Sequence, residues 1–157
     1  MIKSLRIDDR LMHAQVTFGW AQTFNIKGIL IVSDRVAGNP ISAMAAKLAK
    51  PDYCKLWIKN LEEGIAAIPK LNSFDYTTMV IVENVADALE IMKRTDCIHY
   101  VNMGGQRAGA DRFPILETMY ISQQDLQMLK EIENMGAEVE IRTLVTNNGH
   151  KVDEFLK

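Results

Sequence analysis

The stretch Arg6-Ile-Asp-Asp-Arg-Leu-Met-His-Ala-Gln-Val16 marks the change from an apolar opening segment to an amphipathic one. The residues before Asp8 are rich in apolar side chains, as in a strand. After His13, apolar side chains recur at positions 16, 20 and 24, which share one face of a helix. The expected local order is therefore strand, charged loop, histidine and helix. This order places His13 at the carboxyl end of a strand, the edge where open α/β sheets bind ligands.

His13 is the candidate catalytic residue, because its neighbours provide surroundings that suit an anion. Arg10 stands three residues before it, so a guanidinium is available to a group that the imidazole carries. The carboxylate of Asp8 or Asp9 is placed to orient one ring nitrogen and leave the other free. A plainer alternative is that the two acids and Arg10 only cap the helix and solvate the loop.

Length, composition and charge exclude several classes of protein. The chain has 157 residues, with 48% hydrophobic and 24% charged residues, so we expect one globular domain over residues 1–157. The formal net charge of −2 argues against nucleic-acid binding. No run of 18 apolar residues and no signal-peptide pattern is present, which predicts a soluble, cytoplasmic protein. Cys54 and Cys97 are far apart and read as core residues in a reducing compartment.

Strand-like and helix-like segments alternate along the chain. The clearest strand is the apolar run Thr77-Thr-Met-Val-Ile-Val82. Such alternation predicts a mainly parallel sheet, and right-handed crossovers put helices on both of its faces. Residues 116–121 follow a turn, so we expect an antiparallel edge strand near the C-terminus. The fold class is therefore α/β, as a single doubly wound domain.

Several other segments carry predictions that the structure can test. The helix that begins at Pro40 is expected to carry apolar residues along one side, at positions 41, 44, 45 and 48. Gly104-Gly105 is expected to form a turn, with phosphate binding by its backbone amides as the alternative. The polar tail from Asn147, which contains His150, is expected to be solvated and partly disordered.

His99 and Cys97 are expected to share one face of a buried strand. A Cys-x-His pair alone is not a zinc site, so no metal site and no cofactor is expected.

The stretch from Arg6 to Val16, with Trp20 four residues on, resembles a known signature. It is similar to the sequence around the phosphorylated histidine in the IIB component of the mannose/fructose/sorbose family of sugar phosphotransferase systems. The family form reads R-[IV]-D-D-R-L-[IL]-H-G-Q-V…W, and Met12 and Ala14 depart from it. The resemblance extends over nearly the whole chain, through Ser33-Asp34, Asn102-Met-Gly-Gly105, Ser122…Asp125 and Glu138-Val-Glu-Ile-Arg142. Residues 106–118 match it least, which leaves a phosphate or partner contact from Arg112 undecided.

The resemblance implies a protein-phosphohistidine–sugar phosphotransferase in which His13 carries the phosphoryl group. The group would come from a IIA protein and pass to a sugar held by a membrane IIC/IID permease, with which the chain would associate peripherally. Arg10 and the backbone N–H groups near Ala14 and Gln15 would stabilise the transferred charge. Assembly as a homo-oligomer is compatible with this interpretation.

Two alternatives stay open on the sequence alone. The first is a non-enzymatic α/β domain that senses phosphate or a phosphosugar and in which His13 is never modified. The second is a nucleotide-binding doubly wound domain, which is disfavoured because the chain has neither a P-loop nor a GxGxxG motif.

Overall fold

The computed structural model describes residues 1–117 and 119–157, without the side chains of residues 14–16. The strands in these residues are β1 (Ile2–Asp8), β2 (Ile26–Val32), β3 (Lys55–Lys59), β4 (Thr77–Val82), β5 (Tyr100–Gly105), β6 (Phe113–Pro114), β7 (Tyr120–Ile121) and β8 (Glu138–Ile141). The helices are α1 (Ala14–Thr23), α2 (Asp34–Ala37), α3 (Pro40–Ala49), α4 (Leu61–Asn72), α5 (Val85–Arg94) and α6 (Gln123–Asn134), followed by a 3₁₀ helix (Val152–Glu154).

Six strands form one sheet in the order β3-β2-β4-β1-β5-β8, and each neighbouring pair is parallel. Side chains from α1, α2 and α3 pack on one face, and those from α4, α5 and α6 on the other. The predicted doubly wound α/β class is confirmed. The antiparallel pairing expected near residues 116–121 occurs between β6 and β7, which form a separate two-stranded ribbon.

The central strands are apolar on both sides because helices cover both faces of the sheet. In β2, Leu30 and Val32 belong to the cluster under α4 and α5, whereas Ile29 and Ile31 belong to the cluster under α1 and α3. All four side chains have no exposed surface. This continuous burial fixes the register of β2 against β4 and aligns the carboxyl ends of the strands along one edge.

The helix following β1 covers one face of the sheet, while the helices following its neighbours β4 and β5 cover the other. A crevice therefore opens on each side of the end of β1, which is the usual ligand position in such folds. Short polar side chains start the helices at this edge by accepting backbone N–H bonds. The capping residues are Ser33, Asn39, Asn60, Asn84 and Ser122.

The apolar stripe predicted along one side of α3 is present, and it faces solvent. Ala46 is the buried residue of this helix, and Ile41, Met44 and Leu48 point to solvent with 82%, 64% and 82% of their surface exposed. Periodicity locates an apolar stripe, but it does not say whether another layer covers that stripe.

Three predictions fail. His99 precedes β5 and is exposed, so it shares no buried strand face with Cys97. Gly104-Gly105 lies inside β5 instead of forming a turn. The tail folds back onto the domain, because His150 pairs with Ile141 of β8 through backbone bonds of 2.8 and 2.9 Å, and Val152 is fully buried.

Among the helices of the described residues, none combines the length and the apolar character needed to span a bilayer.

Candidate functional site

The loop between β1 and α1 is closed by three backbone hydrogen bonds. The N–H of Asp9 donates to the carbonyl of Gly105 at 3.2 Å, the N–H of Leu11 to that of Asp8 at 3.0 Å, and the N–H of His13 to that of Leu11 at 3.0 Å. Leu11 has a positive φ of 53°, which is uncommon for a residue with a branched side chain. Its side chain is buried in the cluster under α1 and α3, and this burial offsets the backbone cost.

The Asp8 carboxylate organises the loop. One of its oxygens accepts hydrogen bonds from the backbone N–H and Nε of Arg10, both at 3.0 Å, and the other accepts from Nη2 of Arg10 at 3.0 Å. The second oxygen also accepts from Nη2 of Arg6 at 3.1 Å. These hydrogen bonds to Asp8 raise the pKa of Arg10 above its ordinary value. Arg10 is therefore a fixed cation with about a third of its side chain (35%) open to solvent.

Arg6 lies beneath this loop and is only 3% exposed. Besides Asp8, its guanidinium donates to the side-chain oxygen of Asn102 and to the carbonyls of Arg142 (3.3 Å) and Thr143 (2.9 Å). Burial lowers the pKa of Arg6 to about 10, against the opposing effect of Asp8, so the group stays charged at neutral pH. A buried guanidinium is tolerated here because its donors are matched by acceptors.

The indole of Trp20 lies against two guanidinium groups. The carbons Cζ of Arg6 and Arg142 are 5.3 and 5.4 Å from the ring centroid, a separation at which a cation is attracted to an aromatic face. The indole N–H donates to the carbonyl of Thr143 at 3.1 Å. Trp20 therefore ties α1 to the segment that follows β8 and closes the cluster from below.

The two glycines at the end of β5 give this cluster its space. A Cβ on Gly104 would overlap the guanidinium of Arg6. A Cβ on Gly105 would lie 3.3 Å from Nη2 of Arg10 and 3.4 Å from Oδ1 of Asp8. The pair therefore makes room for the arginines from within a strand.

His13 is the residue that immediately precedes α1, with φ −90° and ψ 113°. It is half-buried, its Nδ1 is enclosed, and that nitrogen has no hydrogen-bond partner among the described residues. The expected strand, charged loop, histidine and helix are all present in that order.

The carboxylates of Asp8 and Asp9 have partners other than the imidazole. Those of Asp8 are Arg6 and Arg10, and Asp9 accepts from the backbone N–H of Arg107 at 2.7 Å. In the described residues the two acids orient arginines, and neither bonds to His13. The phosphate contacts expected from Ala14 and Gln15 fall outside the part of the chain whose contacts the structure describes.

Arg112, whose phosphate or partner contact the sequence left undecided, donates to the carbonyl of Arg107 at 2.9 Å. It therefore supports the loop that holds Asp9.

Across the described residues, no group of three or more histidine, cysteine or acidic side chains is arranged to hold a metal ion.

Sequence reasoning gave no role to Arg6, Trp20, Asn102 or Arg142, although each lies within a quoted motif. The local signal for Arg6 was weak: it stands between the apolar residues Leu5 and Ile7 of β1, a strand that also contains Lys3 and Ser4. Its partners come from distant parts of the chain and were not predictable from local pattern.

The family model of the sorbose subfamily IIB component of the phosphotransferase system matches residues 2–157. The chain belongs to this family. The sorbose-specific EIIB component of Klebsiella pneumoniae is 26% identical over 142 residues, which are 90% of this chain and 87% of the relative. The mannose-specific EIIAB component of Escherichia coli strain K12 is 24% identical over 96% of this IIB chain and 47% of that longer relative.

A solved structure shares the fold of this IIB chain. The crystal structure of the IIBSor domain of the sorbose permease from Klebsiella pneumoniae has a TM-score of 0.88, with 25% identity over 98% of this chain and 94% of the other. Membership in the family implies phosphoryl transfer during sugar uptake.

Proposed function

We propose that His13 is the phosphoryl carrier of this IIB component. The observation that supports the proposal most is the position of His13 at the start of α1, three residues after a cation held in place. His13 directly precedes α1, and Arg10, three residues earlier, is fixed by three hydrogen bonds to Asp8. The enclosed Nδ1 of His13 has no hydrogen-bond partner among the described residues.

In the proposed reaction, a lone pair of the His13 imidazole attacks the phosphorus of a donor phosphohistidine. A new N–P bond forms on His13 while the N–P bond of the donor breaks, and its electron pair returns to the donor ring. The transfer depends on placement and on charge stabilisation. Arg10 supplies a positive charge, and the backbone N–H groups near Ala14 and Gln15 are assigned the same role at the start of α1.

The second transfer passes the phosphoryl group from His13 to a hydroxyl of a sugar, whose oxygen forms the new O–P bond as the N–P bond breaks. The electron pair of the N–P bond returns to the His13 ring, and the hydroxyl proton is released to solvent. The donor is a IIA protein and the sugar is held by a membrane IIC/IID permease. The mannose-specific relative of Escherichia coli is an EIIAB component, which supports a IIA partner for this chain. We place the protein in the cytoplasm, at the membrane through its permease.

Phosphate incorporation tests the carrier role. The protein is incubated with phosphoenolpyruvate, the general phosphotransferase proteins and a cognate IIA protein, and its mass is followed. The wild type should gain one phosphoryl group, and the bond should be labile in acid and stable in base. His13→Gln should gain none, whereas the matched variant His150→Gln should gain the group as the wild type does.

The same experiment distinguishes the sensor alternative. A sensing domain would show no mass gain with an active IIA donor, and its ligand binding would partly survive in His13→Gln. Transfer that persists in His13→Gln would contradict the assignment of the carrier.

A further inference from the structure

The outer side of α3 is apolar and uncovered. Ile41, Met44 and Leu48 are spaced by three and four residues, so they form one stripe along the helix. These three side chains are each 64–82% exposed. Exposed apolar residues usually occur singly on a protein surface, whereas these three are neighbours. The opposite side of the helix packs against the sheet, because Ala46 is buried in the core. The stripe is therefore available to a partner.

Two lysines lie on the same side of the domain as this stripe. Residues 35–60 contain five basic residues and one acidic residue, a net charge of +4, in a chain whose formal net charge is −2. Of the basic residues, Lys47 on α3 and Lys59 on β3 line one groove. Neither has a carboxylate partner among the ion pairs of the described residues.

Lys47 joins the stripe to a groove at the edge of the sheet. This groove of about 350 Å³ runs between α3 and β3, and its lining includes Ala43 and Lys47 from the helix and Leu56 and Lys59 from the strand. We call this surface the α3–β3 face and define it by Ile41, Met44, Lys47, Leu48 and Lys59. It consists of an apolar ridge bordered by two lysines that have no carboxylate partner among the described residues.

The charge of this face disfavours two kinds of occupant. A second copy would bring its own lysines against these lysines, and lysines on an edge strand such as β3 oppose edge-to-edge pairing. The cytoplasmic loops of membrane proteins carry an excess of lysine and arginine, so they would also repel it. An anionic lipid surface has the complementary charge and accepts apolar side chains between its headgroups.

We infer that the α3–β3 face docks on the anionic surface of a lipid bilayer. Ile41, Met44 and Leu48 enter the headgroup region, and Lys47 and Lys59 bind lipid phosphates. The face lies on the flank of the domain, with α3 on one side of the sheet and β3 at its edge. Docking there leaves the end of β1, with His13, free to meet protein partners. This inference goes beyond phosphoryl transfer. The experiment that tests it does not depend on phosphoryl transfer by His13.

Co-sedimentation with vesicles tests the inference on the full chain. One set of vesicles is pure phosphatidylcholine, and in the other a third of the lipid is phosphatidylglycerol. We expect the protein to bind the anionic vesicles, to bind the neutral vesicles at least tenfold more weakly, and to be released from the anionic vesicles by high salt. Failure of the wild type to bind the anionic vesicles at low salt would overturn the proposal.

Two double variants locate the binding face. Lys47→Glu/Lys59→Glu should weaken binding by about 25-fold or more, since each lysine near an anionic surface contributes about fivefold. Ile41→Ser/Leu48→Ser should weaken it by about tenfold. The matched control, Lys93→Glu/Lys151→Glu, makes the same change in net charge at other exposed positions. It should bind within about threefold of the wild type.

Three further outcomes test whether the proposed face binds the vesicles. Equal losses in the control and in Lys47→Glu/Lys59→Glu would mean that net charge alone drives binding, and the proposed face would be wrong. Sedimentation velocity without vesicles tests the second-copy alternative. A wild-type dimer that becomes monomeric in Ile41→Ser/Leu48→Ser would overturn the proposal in favour of an interface between copies. Unchanged thermal unfolding of the variants would show that the losses do not come from unfolding.

Discussion

Two strand ends on the same edge of the sheet each hold an arginine against a carboxylate, in different surroundings. At the end of β1, Arg6 and Asp8 are 3% and 1% exposed and 3.1 Å apart. At the ends of β2 and β4, Arg35 and Glu83 are 57% and 18% exposed and 3.0 Å apart. The separations are nearly equal, so the difference between the pairs lies in burial and in the number of partners.

Burial makes the first ion pair part of the candidate functional site and leaves the second as an ordinary surface ion pair. Asp8 cannot exchange its arginines for water, so removing either partner leaves a buried charge without compensation. Arg35 can exchange Glu83 for water at little cost. The buried pair is also connected to the proposed carrier, because the same Asp8 carboxylate fixes Arg10 three residues before His13.

Asp8→Ala should have the largest effect, because it leaves the buried guanidinium of Arg6 without its carboxylate. The free energy of unfolding should fall by about 3–5 kcal/mol. Urea denaturation measures the loss, and Glu83→Ala is the control at the exposed pair. A loss at Asp8 no greater than that at Glu83 would remove the distinction between the two strand ends.

Arg10→Ala should act mainly on the transfer step. The rate of phosphoryl gain from a IIA donor should fall by about 10²–10³-fold, the usual cost of removing one group that stabilises transferred charge. Stability should change less than in Asp8→Ala, because Asp8 keeps its bond to Arg6. Rapid-quench kinetics measures the rate, and Arg107→Ala is the control for a nearby exposed arginine. An unchanged rate in Arg10→Ala would show that the cation held by Asp8 takes no part in transfer.

Gly104→Ala should destabilise the chain by about 1–3 kcal/mol, because the added methyl group overlaps Arg6 in a packed region. Gly19→Ala is a control of opposite sign. That glycine is inside α1, and its added Cβ would be 3.7 Å from Val145, so alanine should stabilise by up to about 1 kcal/mol. Thermal unfolding compares them, and a shift of equal sign in both variants would contradict the assigned role of Gly104.

Arg35→Ala should have the smallest effect, about 0.2–1 kcal/mol on the free energy of unfolding. Salt should reduce even this value, since the ion pair is exposed. Denaturation at low and high ionic strength measures it. A loss above about 2 kcal/mol would show that exposure is a poor guide to the energy of these pairs.

Features set by neighbouring residues were predictable from the sequence. The apolar run of β4 was predicted with its observed bounds, Thr77–Val82, and the cap at Asn39 placed the start of α3 at Pro40. The order of charged loop, His13 and helix was also confirmed. In each case the determinant is local, either a run of apolar side chains or a capping group.

Features set by distant residues were not predictable in the same way. The burial of Arg6 depends on Asn102 and Thr143, which are far from it in the sequence. The folded tail depends on the pairing of His150 with Ile141. The stripe of α3 was predicted correctly as a stripe, but its exposure was not predictable, because only the assembled layers decide which faces are covered.

The chain has two tryptophans, and each lies beside one of the two surfaces described above. Trp20 is enclosed between Arg6 and Arg142 under the His13 loop, so a phosphoryl group on His13 changes the electric field at its indole. Trp57 lies in β3 and lines the groove beside α3. Intrinsic fluorescence therefore needs no added dye in this protein. A Trp57→Phe variant isolates the emission of Trp20, and the change seen only when Trp57 is present reports contact along the flank.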